Sequence, residues 1–284
     1  MAKAREILKR RKAVVNTKKI TKAMEMIATA KFRKAVSRRS GSRSYGETLE
    51  KMAAVLFEDV SHPLTVAREQ CGHTTLLVLT SNRGLCGGYN SGLLRLAKKH
   101  YGDLIAKGQE VSLWMSGRKG HAYAKYNQLP LARKLVSPED KTPWEDTVEL
   151  ARELAGNFHS GKTDLVEIVY NRFTSTTAHK PGVEQLIPLK LPAPEQGRGY
   201  FWEPGPEKMR EEIIYRALEH RLFGIYLESG AVEQVARRIA MKNATDSAEE
   251  MIKILTRFYN RARQYQITQE ISELMGGAEA LQKS

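Results

Sequence analysis

The chain has 284 residues, with 46 Lys and Arg against 32 Asp and Glu and a formal net charge of +14. That length allows one sizeable α/β core with long extensions, and no run of eighteen apolar residues is present to cross a membrane as a helix. Two cysteines, Cys71 and Cys86, sit too far apart for a redox pair or half a zinc site, and seven scattered histidines add no metal-binding pair. The opening MAKAREILKRRKAVV lacks the apolar region of a signal peptide, so a cytosolic protein with two reduced thiols is expected.

The charge is concentrated at one end. Residues 1–43 hold fifteen Lys or Arg against Glu6 and Glu25, and the rest is close to neutral. Residues 1–40 contain no Gly or Pro and are rich in good helix formers. Ile20, Ala23, Met24, Ile27 and Ala28 have the spacing of a single apolar stripe. Helical character resumes over 47–60, with Gly41 and Gly46 expected to bend the element without breaking it, and His62-Pro63 ends it. The middle alternates. TTLLVLT (74–80), VSLWMSG (111–117), LVEIVYNRF (165–173) and VEQLIPL (183–189) read as strands. The stretches 91–108, 118–128 and 147–161 read as helices, which together predict an α/β domain with a largely parallel sheet. Six of the ten prolines fall within 181–206, a segment leaving that domain. From Glu207 to Met275 no proline occurs, and Gly276-Gly277 are expected to stop a helix of roughly 100 Å. Ala248, Ile252, Leu255, Tyr259 and Ala262 step by four and three, an a/d seam. Ile267, Ile271 and Leu274 restart the stripe one residue out of phase. The economical solution pairs the two chain ends in an antiparallel coiled coil. The domains expected are a helix over 1–62, an α/β domain over 70–205 and a helix over 206–284.

Two glycine-bearing stretches raise the question of nucleotide binding. GNFHSGKT (156–163) matches G-x-x-x-x-G-K-[ST] literally, but it follows a helix and enters a strand, the reverse of a phosphate loop. The partial charge at a helix C-terminus is negative, the following strand ends in Asn171 instead of Asp, and Gly161 is better explained as a helix cap. SNRGLCGGYN (81–90) has the right strand–turn–helix context. Its Gly84, Gly87 and Gly88 do not form G-x-G-x-x-G, and they are expected to build a tight structural turn. No catalytic constellation, metal site or cofactor site is expected.

The segments TKKITKAMEMIATAKFRKA (17–35), SNRGLCGGYN (81–90) and RIAMKNATDSAEEMI with YNRARQYQITQEISELMGGAEAL (238–281) resemble the gamma subunit of F-type ATP synthases, bacterial type. The resemblance runs over nearly the whole chain and is most specific at the two ends and the RGLCGG turn. It implies a Rossmann-like central α/β domain that binds no nucleotide, with long N- and C-terminal helices forming an antiparallel coiled coil. It implies a non-catalytic rotor, one copy per complex. The shaft would stand inside a ring of three alpha and three beta subunits, and the foot on the membrane c ring with epsilon beside it. Proton flow would turn the ring, on the cytoplasmic face of the bacterial inner membrane. By motif match, Met24 corresponds to the family methionine that contacts the lever of beta. Arg263, Gln264, Thr268 and Glu270 correspond to the polar set that contacts a catch loop of the catalytic ring. Tyr265-Gln266 is bulkier than the family's residues there, and the cysteine-bearing insertion of chloroplast relatives is absent. Three rival readings need separate tests: a nucleic-acid binder using the basic arm, a nucleotide hydrolase using 156–163, and a coiled-coil scaffold. No nucleic-acid partner is expected, because the arm carries a packing stripe and no recognition motif follows it.

Overall fold

The computed structural model describes residues 2–138, 143–175, 178–194 and 201–282. In chain order these form α1 (Ala2–Leu56), a single 3-10 turn (Pro63–Thr65), β1 (His73–Leu79), α2 (Tyr89–Ala106) and β2 (Glu110–Ser116). There follow α3 (Gly117–Tyr126), β3 (Leu131–Leu135), α4 (Trp144–His159), β4 (Leu165–Phe173), β5 (His179–Ile187) and α5 (Pro206–Gln282). The chain divides into two compact units. One joins the residues up to Ile27 with those from Arg238 on, and the other comprises Ala28–Arg237.

In the second unit the five strands lie in the order β3-β2-β1-β4-β5. β1 pairs in parallel with β2 and β4, β2 with β3 likewise, and β5 runs antiparallel to β4. The central strand explains itself: after its first residue every side chain of HTTLLVL is buried, as a parallel strand covered on both faces requires. Alternate residues serve opposite layers. Leu76 and Val78 pack with Leu93, Leu94 and Ala97 of α2 and Ala124 of α3. Leu77 and Leu79 pack with Leu150, Leu154 and Phe158 of α4, Leu49 of α1, and Ile214, Leu218 and Leu222 of α5. The long helices thus supply half of the second layer in this unit.

Three details differ from the sequence expectation. β3 is a fifth strand; LARKL is short, basic and on the sheet edge, with only Leu135 buried, so it lacks the apolar run that marks its neighbours. β5 begins four residues earlier than expected, taking in Pro181 and Gly182. A proline is tolerated there because β5 is an edge strand. Finally, α5 runs through Gly276-Gly277 to Gln282. An exposed helical glycine costs about 1 kcal/mol against alanine, which raises the energy of a helix without ending it, and the AEAL that follows favours continuation. α1 likewise passes Gly41 and Gly46 unbroken.

Candidate functional site

In the first unit, α1 and α5 run antiparallel, since contact partners rise along one helix as they fall along the other. Thr245 Oγ1 donates to Thr21 Oγ1 at 2.8 Å, Lys18 Nζ reaches Glu249 Oε2 at 3.0 Å, and the Arg11 guanidinium lies 5.8 Å over the Tyr259 ring. The Lys18 hydrogen bond and charge hold the Glu249 carboxyl below its ordinary range. Covered side chains on α5 recur at Met241, Thr245, Ala248, Ile252, Leu255, Tyr259, Ala262 and Gln266, the heptad seam expected from sequence extended by two positions before it and one after. On α1 they recur at Ala4, Ile7, Arg11, Val14, Lys18, Thr21 and Glu25, a heptad of mixed apolar and polar residues, with Leu8, Val15 and Met24 half-covered beside it. The expected apolar stripe is therefore corrected. Ile20 is 60% exposed and Ile27 55%, while Met24 is half-buried. The mate of α5 is the mixed row beside that stripe, with Lys18, Thr21 and Glu25 as its polar members at this level.

Counting on from the Arg11–Tyr259 contact, α1 runs out opposite about residue 267 of α5. Every residue over 267–278 is exposed. Arg263, Gln264, Thr268 and Glu270 are brought together around this point, all exposed. Thr268 Oγ1 donates to the Gln264 carbonyl at 3.0 Å, and Gln266 Nε2 to Glu270 Oε1 at 2.8 Å, so the polar groups are held along the helix and face outward. Among them stand Tyr265, 74% exposed, with Ile267, Ile271, Leu274 and Met275 exposed as well. Met24 is not part of this cluster. It lies one turn beyond Thr21, so roughly 30 Å of α5 separates its level from Arg263. Ile20 and Ile27, both exposed, lie one turn to either side of it, and the sequence reading had placed all three in one apolar stripe.

In the strand-bearing unit, the 81–90 turn lies at the carboxyl end of β1. That is the point where the connections leave the sheet on opposite sides, and where doubly wound folds take a nucleotide. Gly87 has φ +56 and Leu85 φ +63; Leu85 is a bulky residue in the left-handed region and points to solvent, 62% exposed. Gly88 caps α2, and a side chain at Gly84 would meet Lys119 Cε at 3.6 Å. The turn is laced internally by Asn90, whose Oδ1 accepts from Ser81 N–H at 3.1 Å and whose Nδ2 donates to Ser81 Oγ at 2.7 Å. The crevice itself is filled by the protein's own chain. Tyr89 is fully buried with Cys86, Val232 and Ala236, its hydroxyl lies 2.8 Å from Ser229 Oγ, and Asn171 Nδ2 donates to its carbonyl at 3.1 Å. Burial pushes the Cys86 thiol and Tyr89 hydroxyl pKa values up, so both are neutral packing groups.

The GNFHSGKT stretch closes α4. Gly161 has φ +75, its N–H donates to the Phe158 carbonyl at 3.2 Å, and Lys162 N–H donates to the Asn157 carbonyl at 2.9 Å. These are the two bonds of a Schellman cap, and they use the amides that a phosphate loop would leave free. Among the described residues, no group of His, Cys, Asp and Glu could hold a metal ion, and no helix is long and apolar enough to cross a membrane.

A family profile described as ATP synthase matches residues 3–281. The ATP synthase gamma chain of Rhodopirellula baltica is 39% identical over 295 aligned residues, covering 99% of this chain and 100% of the relative. That of Leptospira biflexa is 37% identical over 288, with 99% and 100% covered. Among solved structures, a chain of the Euglena gracilis mitochondrial ATP synthase rotor, rotational state 1, has a TM-score of 0.65 at 19% identity, covering 94% of this chain and 99% of that one. A chain of the Tetrahymena thermophila mitochondrial ATP synthase central stalk and c ring has a TM-score of 0.60 at 23% identity, covering 79% and 99%. At these identities the two structures share the fold with this chain.

Proposed function

The chain belongs to the family of ATP synthase gamma chains and is a non-catalytic rotary subunit of that complex, and from this premise we propose how its surfaces are used. The paired helices of the first unit turn inside a ring of three alpha and three beta subunits. The strand-bearing unit meets the c ring and epsilon, with one copy of the chain per complex. Proton flow through the membrane subunits drives the rotation, on the cytoplasmic face of the bacterial inner membrane. Occurrence of similar chains in the rotor and central stalk of two mitochondrial enzymes supports this reading. Coupling is by differential contact: each rotor angle must favour one beta conformation over the others, since a ligand with equal affinity for all states shifts nothing.

The observation that carries the proposal is the run of exposed residues over 267–278, which continues α5 beyond the start of its mate. Isolated exposed apolar residues are ordinary, but Tyr265, Ile267, Ile271, Leu274 and Met275 recur along one helix, exposed and without a partner element among the described residues at that level. In our reading Arg263, Gln264, Thr268 and Glu270 engage a catch loop of the ring. Met24, with Ile20 and Ile27 around it, engages the lever of beta, and the exposed Lys19 and Lys22 face acidic partner surfaces, whereas Lys18 is taken up by Glu249.

The test is a disulfide between a cysteine at Met24 and the beta lever in the assembled complex. ATP hydrolysis should stop on oxidation and recover on reduction. Hydrolysis at the uncrosslinked rate in the oxidised complex would refute the shaft reading. Purification from membranes should also bring alpha, beta and epsilon chains in the ratio three, three and one per copy of this chain.

A further inference from the structure

Both long helices pass through the strand-bearing unit, and there one carboxylate joins them to the sheet. Glu228 of α5 accepts the Phe173 backbone N–H through Oε1 at 2.8 Å. Through Oε2 it pairs with Arg39 Nη2 of α1 at 2.9 Å, and its side chain is only 13% exposed. Phe173 is the last residue of β4, and its ring stacks with Phe32 of α1 at a centroid distance of 6.3 Å. Two helices and one strand end thus converge on a single side chain. The next residues of α5 continue the grip at the same end of the sheet, with Ser229 at the Tyr89 hydroxyl and Val232 and Ala236 against Cys86 and Tyr89.

Resting on the rotary reading, we propose that Glu228 is a positioning residue for torque. It locks α1 and α5 to the carboxyl end of β4, so that rotation imposed on the strand-bearing unit enters both helices in phase. The chemistry suits the task. Burial of apolar surface is non-directional, so a purely apolar contact lets one helix slide or roll on the sheet at little cost. A carboxylate with one oxygen fixed by a main-chain N–H and the other by a guanidinium is directional at both ends, and both bonds are charge-assisted. Partial burial also protects the pair from screening by salt. Glu228 touches no nucleotide in this reading and contributes nothing to bond making; it acts through the elements it holds.

The assay is single-molecule rotation of a bead fixed to the strand-bearing unit of the assembled complex, with ATP hydrolysis measured on the same preparation. Glu228→Ala is expected to hydrolyse ATP at the wild-type rate while the torque delivered to the bead falls, since both directional bonds to the carboxylate are lost. Glu228→Gln keeps an acceptor for Phe173 N–H but loses the charge, and should fall between the two. Arg39→Ala removes only the α1 bond and should also lower the torque. A residue that merely stabilises the fold would change assembly or thermal stability and leave torque unchanged, so unchanged torque in assembled Glu228→Ala overturns the proposal. Should Glu228→Ala fail to assemble, Arg39→Ala decides, because its side chain is 42% exposed and its loss spares the sheet; unchanged torque there overturns the lock equally. A wild-type bead that does not rotate during hydrolysis would defeat the rotary reading itself, an outcome distinct from either.

Discussion

Gly41 and Gly46 lie five residues apart in α1, and replacing each by alanine should shift stability in opposite directions. At Gly46 an added Cβ would sit 2.2 Å from His220 Nδ1 and 2.3 Å from Cε1, far inside the roughly 3.5 Å of van der Waals contact. The imidazole cannot swing away freely. It hydrogen-bonds the Ser42 backbone, and the Tyr45 ring meets it edge-on at a centroid distance of 5.5 Å. Overpacking of this kind costs about 1–3 kcal/mol, and losing the Ser42 bond costs about 0.5–1.5 kcal/mol more. The better helix propensity of alanine offsets about 1 kcal/mol. Gly46→Ala should therefore destabilise by roughly 0.5–3.5 kcal/mol. At Gly41 an added Cβ meets nothing within 4 Å, so Gly41→Ala keeps the propensity gain and stabilises by up to about 1 kcal/mol. Urea titrations of the purified chain followed by circular dichroism would measure both. Adding His220→Ala should recover part of the loss in Gly46→Ala, a coupling of about 1–2 kcal/mol. If Gly46→Ala proves as stable as wild type, or both substitutions shift stability the same way, the interlock of α1 and α5 at this crossing is wrong.

Burial lowers the pKa values of His62, His179 and His220, with Glu211 partly opposing the effect at His62. The unfolded chain then binds more protons below about pH 6.5. Stability should hold above about pH 7 and fall on acidification, by up to about 1.4 kcal/mol per pH unit for each group; equal urea midpoints at pH 7.5 and 5.5 would contradict this. Gly161→Ala forces a side chain to φ +75 and should cost about 1–2 kcal/mol, read by the same titration, whereas no change would remove the Schellman cap as its role. The purified chain should show no ATP turnover in a phosphate-release assay, with Lys162→Ala indistinguishable from it; turnover lost in that variant would revive 156–163 as a phosphate loop. Reversing the exposed Lys19 and Lys22 to Glu should lower assembly with the catalytic ring or the coupling of rotation to ATP, and unchanged values for both would detach the basic face from function.

The parts of this fold that were legible in sequence are those where one local signal dominates. TTLLVLT could only be a buried strand, and Ala248 to Ala262 carried their heptad openly. The absence of proline from 207 to 275 announced a long helix, although its end was expected at Gly276-Gly277 and lies at Gln282. What failed to show was context. β3 is written in LARKL, whose strand character comes from pairing with β2 and from little of its own composition. The mate of the α5 seam was misassigned because Ile20 and Ile27 looked like core. Burial selects Thr21 and Ala28, and half-covers Lys18 and Glu25 alongside Val14 and Met24, a mixed row that no hydrophobicity pattern ranks. The plugged crevice depended on Tyr89 meeting Ser229, 140 positions away, a contact that local reading does not reach. Of the candidate contact residues, the polar group at 263–270 was recognisable by motif, but the separation of Met24 from it follows only from the register of the two helices.

That misassignment carries a physical argument about what the helix pair is for. An antiparallel pair built for its own stability places leucine and isoleucine in the seam and charge outside. Here the seam on α1 mixes Lys18, Thr21 and Glu25 with Ile7, Val14 and Met24, and the large apolar side chains Ile20, Met26 and Ile27 are exposed. Burying each of them against a partner would contribute about 1.5–3 kcal/mol that the pair alone forgoes. The polar contacts retained are directional: the Thr21–Thr245 bond is buried on both sides. A single polar pair in a seam specifies register at the expense of stability. Register is what a shaft has to keep, because a slip of one heptad would present different residues to each surrounding subunit at the same angle of rotation. Apolar surface turned outward, with alignment held by polar bonds inside, is the distribution expected of an element enclosed by other chains whose own fold supplies the burial.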